Sequence, residues 1–366
     1  MQRRTLMAGS LALGLPVLGA LSGCTLGMVV GMALAESSNA EPVPLRHIAF
    51  GSCIDQTKPQ PIWDAVLAAR PGLFIFGGDN VYASEQPWSP ERLRAAYAMQ
   101  AAVPGFARLR ASVPHLAIWD DHDYGLNDGG AEFAHKQASK QIFLDFWQAP
   151  PDDPRRAREG LYHAQIFGPP GRSVQIILLD TRWWRSPLRS SDQRGAPGKE
   201  RYMPDADPAK TMLGDVQWRW LEEQLRAEAQ LRLIVSGIQV LADGHGWERW
   251  GNLPRERERL LRSIVHSGTG GAGGVVFLSG DRHIGALYRE SRGLPYPLYE
   301  ITSSGITHPW ADAAEAGPNR IGPLVRLPHF GSILVDWAAG VLLLSLRGQD
   351  GAILHSRSVV FQDLGS

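Results

Sequence analysis

The chain has 366 residues, 44% hydrophobic and 20% charged, and its 37 basic and 37 acidic side chains balance to zero net charge. That length and hydrophobic fraction exclude a disordered or fibrous chain and suffice for one large core. The balanced charge gives no sign of a nucleic-acid-binding surface or an acidic tail. With two cysteines, Cys24 and Cys53, a disulfide scaffold is excluded as well.

The first 35 residues read as a targeting segment: Arg3-Arg4 precedes an apolar run that reaches Ala35. A twin arginine in this place is the mark of a Tat-type signal, so export through the Tat machinery to the periplasm or the cell envelope is expected. Three fates for the segment stay open. Leu21-Ser22-Gly23-Cys24 matches a lipobox, which would make Cys24 the lipidated first residue; Ala33-Leu34-Ala35 matches a small-x-small cleavage site; and the run is long enough to stay as a membrane anchor. Residues 36–45 are a polar, proline-containing linker. Cys53 is then the lone thiol of the core, either an inert buried cysteine or a thiolate protected by a metal.

From residue 46 onward short apolar runs alternate with amphipathic stretches, the pattern of one α/β domain over 46–366. His47–Phe50, Leu73–Phe76 and Pro114–Trp119 predict strands, with helices over 61–70 and 89–110 between them and another over 132–147. Leu161–Phe167 and Ser173–Leu179 predict a strand pair; residues 181–210, rich in Arg, Ser, Pro and Asp, predict a long surface loop that shapes a cleft. A helix over 215–229, strands at 231–235 and 275–278, a charged helix over 255–266 and a Gly-rich turn at 268–274 follow; the rest alternates as strands at 296–301, 333–337, 341–346 and 352–360.

Four of the apolar runs end in residues that bind metals. The first gives Cys53, the second Asp79 and Tyr82, the third Asp121, His122 and Asp123, and a late one Asp281 and His283. The third is the densest: Trp119–Asp128 holds four carboxylates, one imidazole and one amide. Such a segment is either a solvated acidic loop or a site that needs a cation, and the ends of strands are where open α/β sheets place their chemistry. A thiolate, a phenolate and an imidazole favour a transition metal, whereas carboxylates and amides favour Ca²⁺, Mn²⁺ or Mg²⁺; a two-metal cluster would use both sets. Asn80 reads as a ligand of phosphate or metal, or as a turn residue. Arg182 reads as a guanidinium that grips the phosphate of a substrate, or one that pairs with Asp180 or Asp215. His245, His308 and Trp183-Trp184 are candidates for a substrate wall.

Gly51-Ser52-Cys53, Gly78-Asp79-Asn80-Val81-Tyr82, Trp119-Asp120-Asp121-His122-Asp123, Leu179-Asp180-Thr181-Arg182, Met212-Leu213-Gly214-Asp215-Val216-Gln217-Trp218 and Ser279-Gly280-Asp281-Arg282-His283 occur in this order. The series resembles the alkaline phosphatase D-like family of the calcineurin-type metallophosphoesterases, over about residues 47–350. The resemblance implies two packed mixed β-sheets flanked by helices, with metals at the sheet ends. It implies Cys53, Asp79, Tyr82, Asp121, Asp281 and His283 as metal ligands, with Asp79 bridging, and His122 as the proton donor to the leaving group. It implies Fe³⁺ with Ca²⁺, or Mn²⁺ or Mg²⁺ in its place, and a metal-bridging hydroxide that hydrolyses phosphodiesters and phosphomonoesters. One departure stands out: Ser236-Gly237-Ile238-Gln239 occupies the place where the wider fold carries a histidine, which shifts the second metal toward Ca²⁺. Only residues 36–45 separate signal and core, so the amino-terminal sandwich domain of many members is expected to be missing. Two alternatives stay open: another metal-dependent hydrolase on the same site, and a non-catalytic envelope protein that binds metal.

Overall fold

The structure, a computed structural model, describes residues 43–268, 274–315 and 317–365. The targeting segment 1–35, most of the linker and most of the turn expected at 268–274 lie outside the described residues. Strands β1 (His47–Gly51), β2 (Leu73–Gly77) and β3 (His115–Ile118) are separated by helices α1 (Ile62–Ala68), α2 (Pro90–Ala101) and α3 (Pro104–Ser112). The single helix expected over 89–110 is two, because Pro104 holds Val103 in extended backbone at φ −68° and ψ 117°. The acidic segment itself forms the one-turn helix α4 (Asp121–Tyr124), closed by Gly125 at φ 118°.

Helices α5 (Lys136–Phe146) and α6 (Pro154–Ala157) lead to the antiparallel pair β4 (His163–Phe167) and β5 (Val174–Leu178). The loop expected over 181–210 carries only the two-residue strands β6 (Arg189–Ser190) and β7 (Tyr202–Met203). Next come α7 (Gly214–Gln224), β8 (Leu231–Ser236), α8 (Pro254–Gly268) and β9 (Gly274–Ser279). The chain ends in β10 (Gly285–Glu290), β11 (Leu298–Ser303), β12 (Arg320–Val325), β13 (His329–Asp336), β14 (Val341–Gly348) and β15 (Ile353–Val360). Strands β10 and β12 are additions to the expected set. Gly322-Pro323 inside β12 masks the strand pattern, and β12 lies at a sheet edge, where proline costs no ladder bond.

Two mixed sheets result, ordered β15-β14-β13-β1-β2-β3 and β12-β10-β11-β9-β8-β5-β4. Each has a parallel core, β1-β2-β3 in the first and β5-β8-β9-β11 in the second, flanked by antiparallel strands. Period-two alternation divides the second sheet between two cores. Ile176, Leu178, Leu233, Val235, Val276 and Leu278 pack with the first sheet, while Ile177, Leu179, Ile234, Val275 and Phe277 pack under α7 and α8 with Trp218, Leu221 and Ile264. Strands covered on both faces favour continuous apolar runs, which is how 73–76 and 275–278 read; Gln175 in β5 and Arg232 in β8 interrupt theirs and bond each other at 2.5 Å. On the outer face of the first sheet Trp63, Phe74, Phe76, Phe106 and Trp147 interlock at ring-centroid distances of 4.6 to 6.3 Å. Among the described residues no helix is long and apolar enough to cross a membrane.

Candidate metal centre

The carboxyl ends of β1, β2 and β3 meet those of β8 and β9, so the residues just past five strands share one space. The approach is close enough to demand glycine. A Cβ on Gly237, just past β8, would lie 2.3 Å from Asp120 Oδ1, and one on Gly280, just past β9, would lie 2.4 Å from Ser52 Oγ. The side chains carried into this space need backbone turns that L-residues rarely adopt. Cys53 (φ 61°), Asp79 (φ 48°), Asp128 (φ 50°), Asp281 (φ 66°) and His283 (φ 53°) are five of the seven non-glycine residues at positive φ among those described, so the strained backbone is concentrated here. Backbone bonds hold it: Ile54 N–H donates to Asp79 O at 2.8 Å, Thr307 Oγ1 to Cys53 O at 2.9 Å and His283 N–H to Ser304 Oγ at 2.6 Å.

Two groups of potential ligand atoms share Asp79. In the first, Cys53, Asp79 and His283 offer atoms within 4.8 Å of one another. Cys53 Sγ lies 3.5 Å and Tyr82 OH 3.4 Å from Asp79 Oδ2, and Tyr82 OH lies 3.0 Å from His283 Nε2. In the second, Asp79, Asp121 and His122 converge in the same way, and Asp121 also converges with Asp120 and Asp281. Asp79 Oδ1 accepts the His122 N–H at 3.1 Å and Asp121 Oδ2 the Asp128 N–H at 2.7 Å.

The electrostatics call for positive charge. Burial, with Asp121 next, pushes the Asp79 carboxyl well above the usual range, and burial with Asp120 and Asp121 does the same to Asp281. Burial pushes the Cys53 thiol up to about 11 and holds the His283 imidazole down to about 3, so that it is a neutral donor. Three buried oxygens at the junction, Asn80 Oδ1, Asp120 Oδ2 and Asp121 Oδ1, have no hydrogen-bond partner. Cations satisfy such oxygens, bring the raised carboxyl and thiol pKa values back down and keep the imidazole neutral, and a donor set with one thiolate, one phenolate, one imidazole and several carboxylates suits a transition metal beside a harder ion. The residues present therefore fit a two-metal centre.

The family model for PhoD-like phosphatases matches residues 48–316. The chain belongs to the PhoD-like phosphatase family. It is a metal-dependent phosphoesterase, a hydrolase on the two-sheet metallophosphatase fold. Among solved structures it is similar to PhoD, at 18% identity and a TM-score of 0.65 over 87% of this chain and 69% of that one. It is similar in fold to the purple acid phosphatase PPD1 from yellow lupin (Lupinus luteus) seeds, at 12% identity and a TM-score of 0.57 over 88% of this chain and 55% of that one. No curated protein sequence matches the chain.

The PhoD-like site places Cys53, Asp79, Tyr82, Asp121, His122, Asp281 and His283 in one constellation. Asn80 lies at its floor: its Nδ2 donates to Ile118 O at 2.8 Å and to Asp123 Oδ2 at 2.6 Å, and these bonds fix the unpartnered Oδ1. Arg182 is a correction. It is fully buried, its Nε bonds Asp120 Oδ1 at 2.6 Å and its Nη1 bonds Glu248 Oε2 at 2.7 Å, so it faces carboxylates and not a substrate. Neither expected partner holds it: Asp180 spends its carboxylate on the N–H groups of Leu161, Arg182 and Trp183. The 212–218 motif supports this turn, with the Gln217 amide exchanging two 2.8 Å bonds with the Asp180 backbone.

The Trp183-Trp184 expectation also fails. Trp183 is buried and stacks on Trp119 at 6.2 Å, and Trp184 packs beside it. His245 is buried against Gln239, whereas His308 does reach the site, 4.3 Å from the His283 ring and 4.8 Å from Tyr82. The open cavity, about 270 Å³, is lined by Asp121, His122, Asp281 and His283 on one side and by Arg201, Trp247, Arg282 and Trp310 on the other. Sequence reading misses Glu248 and this second wall. Glu248 and Trp247 sit on the loop after β8, and the one signal for them is that β8 is another strand ending at the site.

Arg182→Ala leaves Asp120 as an unpaired buried charge and Glu248 with Arg185 alone, which costs roughly 3–5 kcal/mol. A matching fall in the urea midpoint is expected; unchanged stability with a raised KM for phosphoester would restore the substrate-gripping role. Burial, against bonds from the Asp120 N–H, Asn80 and Tyr97, pushes the Asp123 carboxyl up to about 7. The unfolded carboxyl titrates near 3.9, so the stability this group gives below about pH 4 is lost as the pH rises toward 7, and the raised Asp79 and Asp281 act in the same direction. Protein kept in chelator should unfold at lower urea at pH 8 than at pH 5, and metal loading should flatten that slope; parallel pH profiles with and without metal would refute the account.

Proposed function

We propose that the chain is an exported phosphoesterase that hydrolyses phosphodiesters, and phosphomonoesters by the same route, with Fe³⁺ at the Cys53, Asp79, Tyr82 and His283 group and Ca²⁺ at the Asp79, Asp121 and Asp281 side. The observation that carries the reading is the position of Asp79, whose carboxylate belongs to both ligand groups. Two cations sharing that carboxylate would neutralise the phosphoryl oxygens and lower the pKa of water between them. The oxygen-rich second side favours Ca²⁺, and the thiol, phenol and imidazole of the first favour iron.

The chain's own residues do the rest. His122 bonds Ser84 Oγ through Nδ1 at 2.7 Å and lies against the Tyr82 ring at 4.1 Å, so the imidazole is fixed in place and in tilt. The Nδ1 contact to Ser84 leaves Nε2 facing away from that hydroxyl, and a protonated ring would give its Nε2 proton to the leaving alkoxide and end neutral. Asp79 accepts the His122 backbone N–H, so the shared ligand and the proton donor ride on one frame. Buried walls at Asp120, Arg182 and Glu248 keep water from the back of the site.

Asp79→Asn and His122→Ala should each lower kcat on a chromogenic bis-aryl phosphodiester by roughly 10²–10⁴-fold in protein that remains folded by circular dichroism, and chelation should abolish the rate. Full activity in either variant, or a chelator-insensitive rate, would sink the mechanism; turnover of lactones or amides in preference to phosphoesters would favour the rival hydrolase reading. Export rests on Arg3-Arg4 ahead of the apolar run. Replacing both arginines by lysine should strand the folded protein in the cytoplasm of a Tat-competent host, and unimpaired export would argue against that route.

A further inference from the structure

Trp310, 39% exposed, is the one aromatic among the large apolar side chains left exposed in the described residues, and it stands at the mouth of the cavity that holds Asp121, His122, Asp281 and His283. Its backbone N–H donates to His283 O at 2.6 Å, so the indole rides on the same strap as a residue of the metal centre. Among the described residues its ring contact is Trp247, met edge to face at 5.8 Å and 85°. Trp247 is itself covered. The Arg201 guanidinium lies 5.0 Å and that of Arg282 4.7 Å from its ring centroid. Arg201 pairs with Asp128 at 2.6 Å and Arg282 pairs with Glu315, so each guanidinium already faces a carboxylate.

The outer wall thus consists of one clamped indole and one free indole. An exposed indole keeps water on apolar area that a stacked ring would displace, and a flat ring stacks on tryptophan whatever its substituents. Paired guanidiniums make a poor second anion site, so this wall selects by ring and not by charge, which disfavours a polyanionic polymer. We propose that Trp310 is a stacking platform for the base of a nucleoside phosphoester, whose phosphate lies at the metal centre. This rests on the phosphoesterase reading above and names its substrate class.

The test uses metal-loaded protein and two phosphodiesters that differ only in the base: the 5′-methyl phosphodiesters of adenosine and of ribose. The wild type should favour the adenosine ester in kcat/KM by roughly tenfold, through KM, and Trp310→Ala should erase that preference while Trp310→Phe keeps part of it. Absence of a preference in the wild type, a preference that survives in Trp310→Ala, or an equal gain for a methyl phosphodiester of glucose would overturn the platform. If neither ester is cleaved, the phosphoesterase reading fails on its own, and equilibrium dialysis with adenosine 5′-monophosphate decides the platform. Binding lost in Trp310→Ala supports it, and equal binding by both proteins overturns it.

Discussion

Asp120 sits between glycines of the two sheets, with Gly78 after β2 and Gly237 after β8 each leaving no room for a Cβ against it. Its carboxylate has no access to water, and its one full counter-charge is Arg182, itself fully buried. Arg182 in turn reaches Glu248, which also pairs with Arg185 at 3.1 Å. Burial alone would lower the Arg182 pKa, but Asp120 and Glu248 raise it well above its ordinary value, so the guanidinium stays charged. This chain of buried charges is the junction on which the site depends. It ties the end of the first sheet to the loop after β8, and it removes one carboxylate from a space that holds several. Ion pairs this deep are poor sources of net stability, because desolvation consumes most of the attraction. Their use here is registry: the two sheet ends lock at one relative position, and the ligand groups built on them keep their spacing.

The remaining carboxylates divide by what they already bond. Asp123 is spent on structure: Oδ1 accepts the Asp120 N–H at 2.7 Å and Oδ2 takes the Asn80 amide at 2.6 Å and Tyr97 OH at 3.2 Å. It caps α4 and fastens the end of β2 to it. Asp121 keeps oxygens in reach of Asp79 on one side and of Asp281 on the other, and Asp121 and Asp281 line the cavity. Their charge is what a cation neutralises, so metal binding and folding of this corner draw on the same free energy. The thiol of Cys53 belongs to the same balance: burial keeps the proton on sulfur, and a cation is the group that removes it.

Much of this was legible in the sequence because strands buried on both faces leave continuous apolar runs, and the residues just past them are the ones the sheet ends bring together. Cys53, Asp79, Tyr82, Asp121, His122, Asp281 and His283 all follow that rule, so reading strand ends finds them without knowing the topology. Arg182 also follows a strand, after β5, yet it turns inward. The sequence shows a guanidinium near a cleft but not that Gly237 leaves Asp120 as its partner. Glu248, Trp247 and Trp310 follow no rule of period or spacing. They lie on loops whose course is set by tertiary contacts, such as Glu300 accepting the N–H groups of Val240, Leu241 and Ala242. A run such as Gly246-Trp247-Glu248 therefore looks like any polar loop until the fold places it.

The strained turns explain how the constellation can be shared among so many elements and still converge on one space. Glycine at positions 53, 79, 281 and 283 would relieve the left-handed backbone, but it would delete the side chains that make the site, so the cost of the conformation is carried by neighbouring bonds. Ser304 illustrates the economy: its hydroxyl lies 3.0 Å from Cys53 Sγ and accepts the His283 N–H, so one side chain from β11's end orients a thiol of the first sheet and an imidazole of the second. A ligand set fixed in this way needs little rearrangement to take up a metal, because the entropy of bringing five strand ends together is already lost on folding. The aromatic wall is the opposite case. Trp310 carries no strain and few contacts, so the residues that set chemistry are held by the fold while the residue that meets the substrate's periphery is free to change without disturbing them.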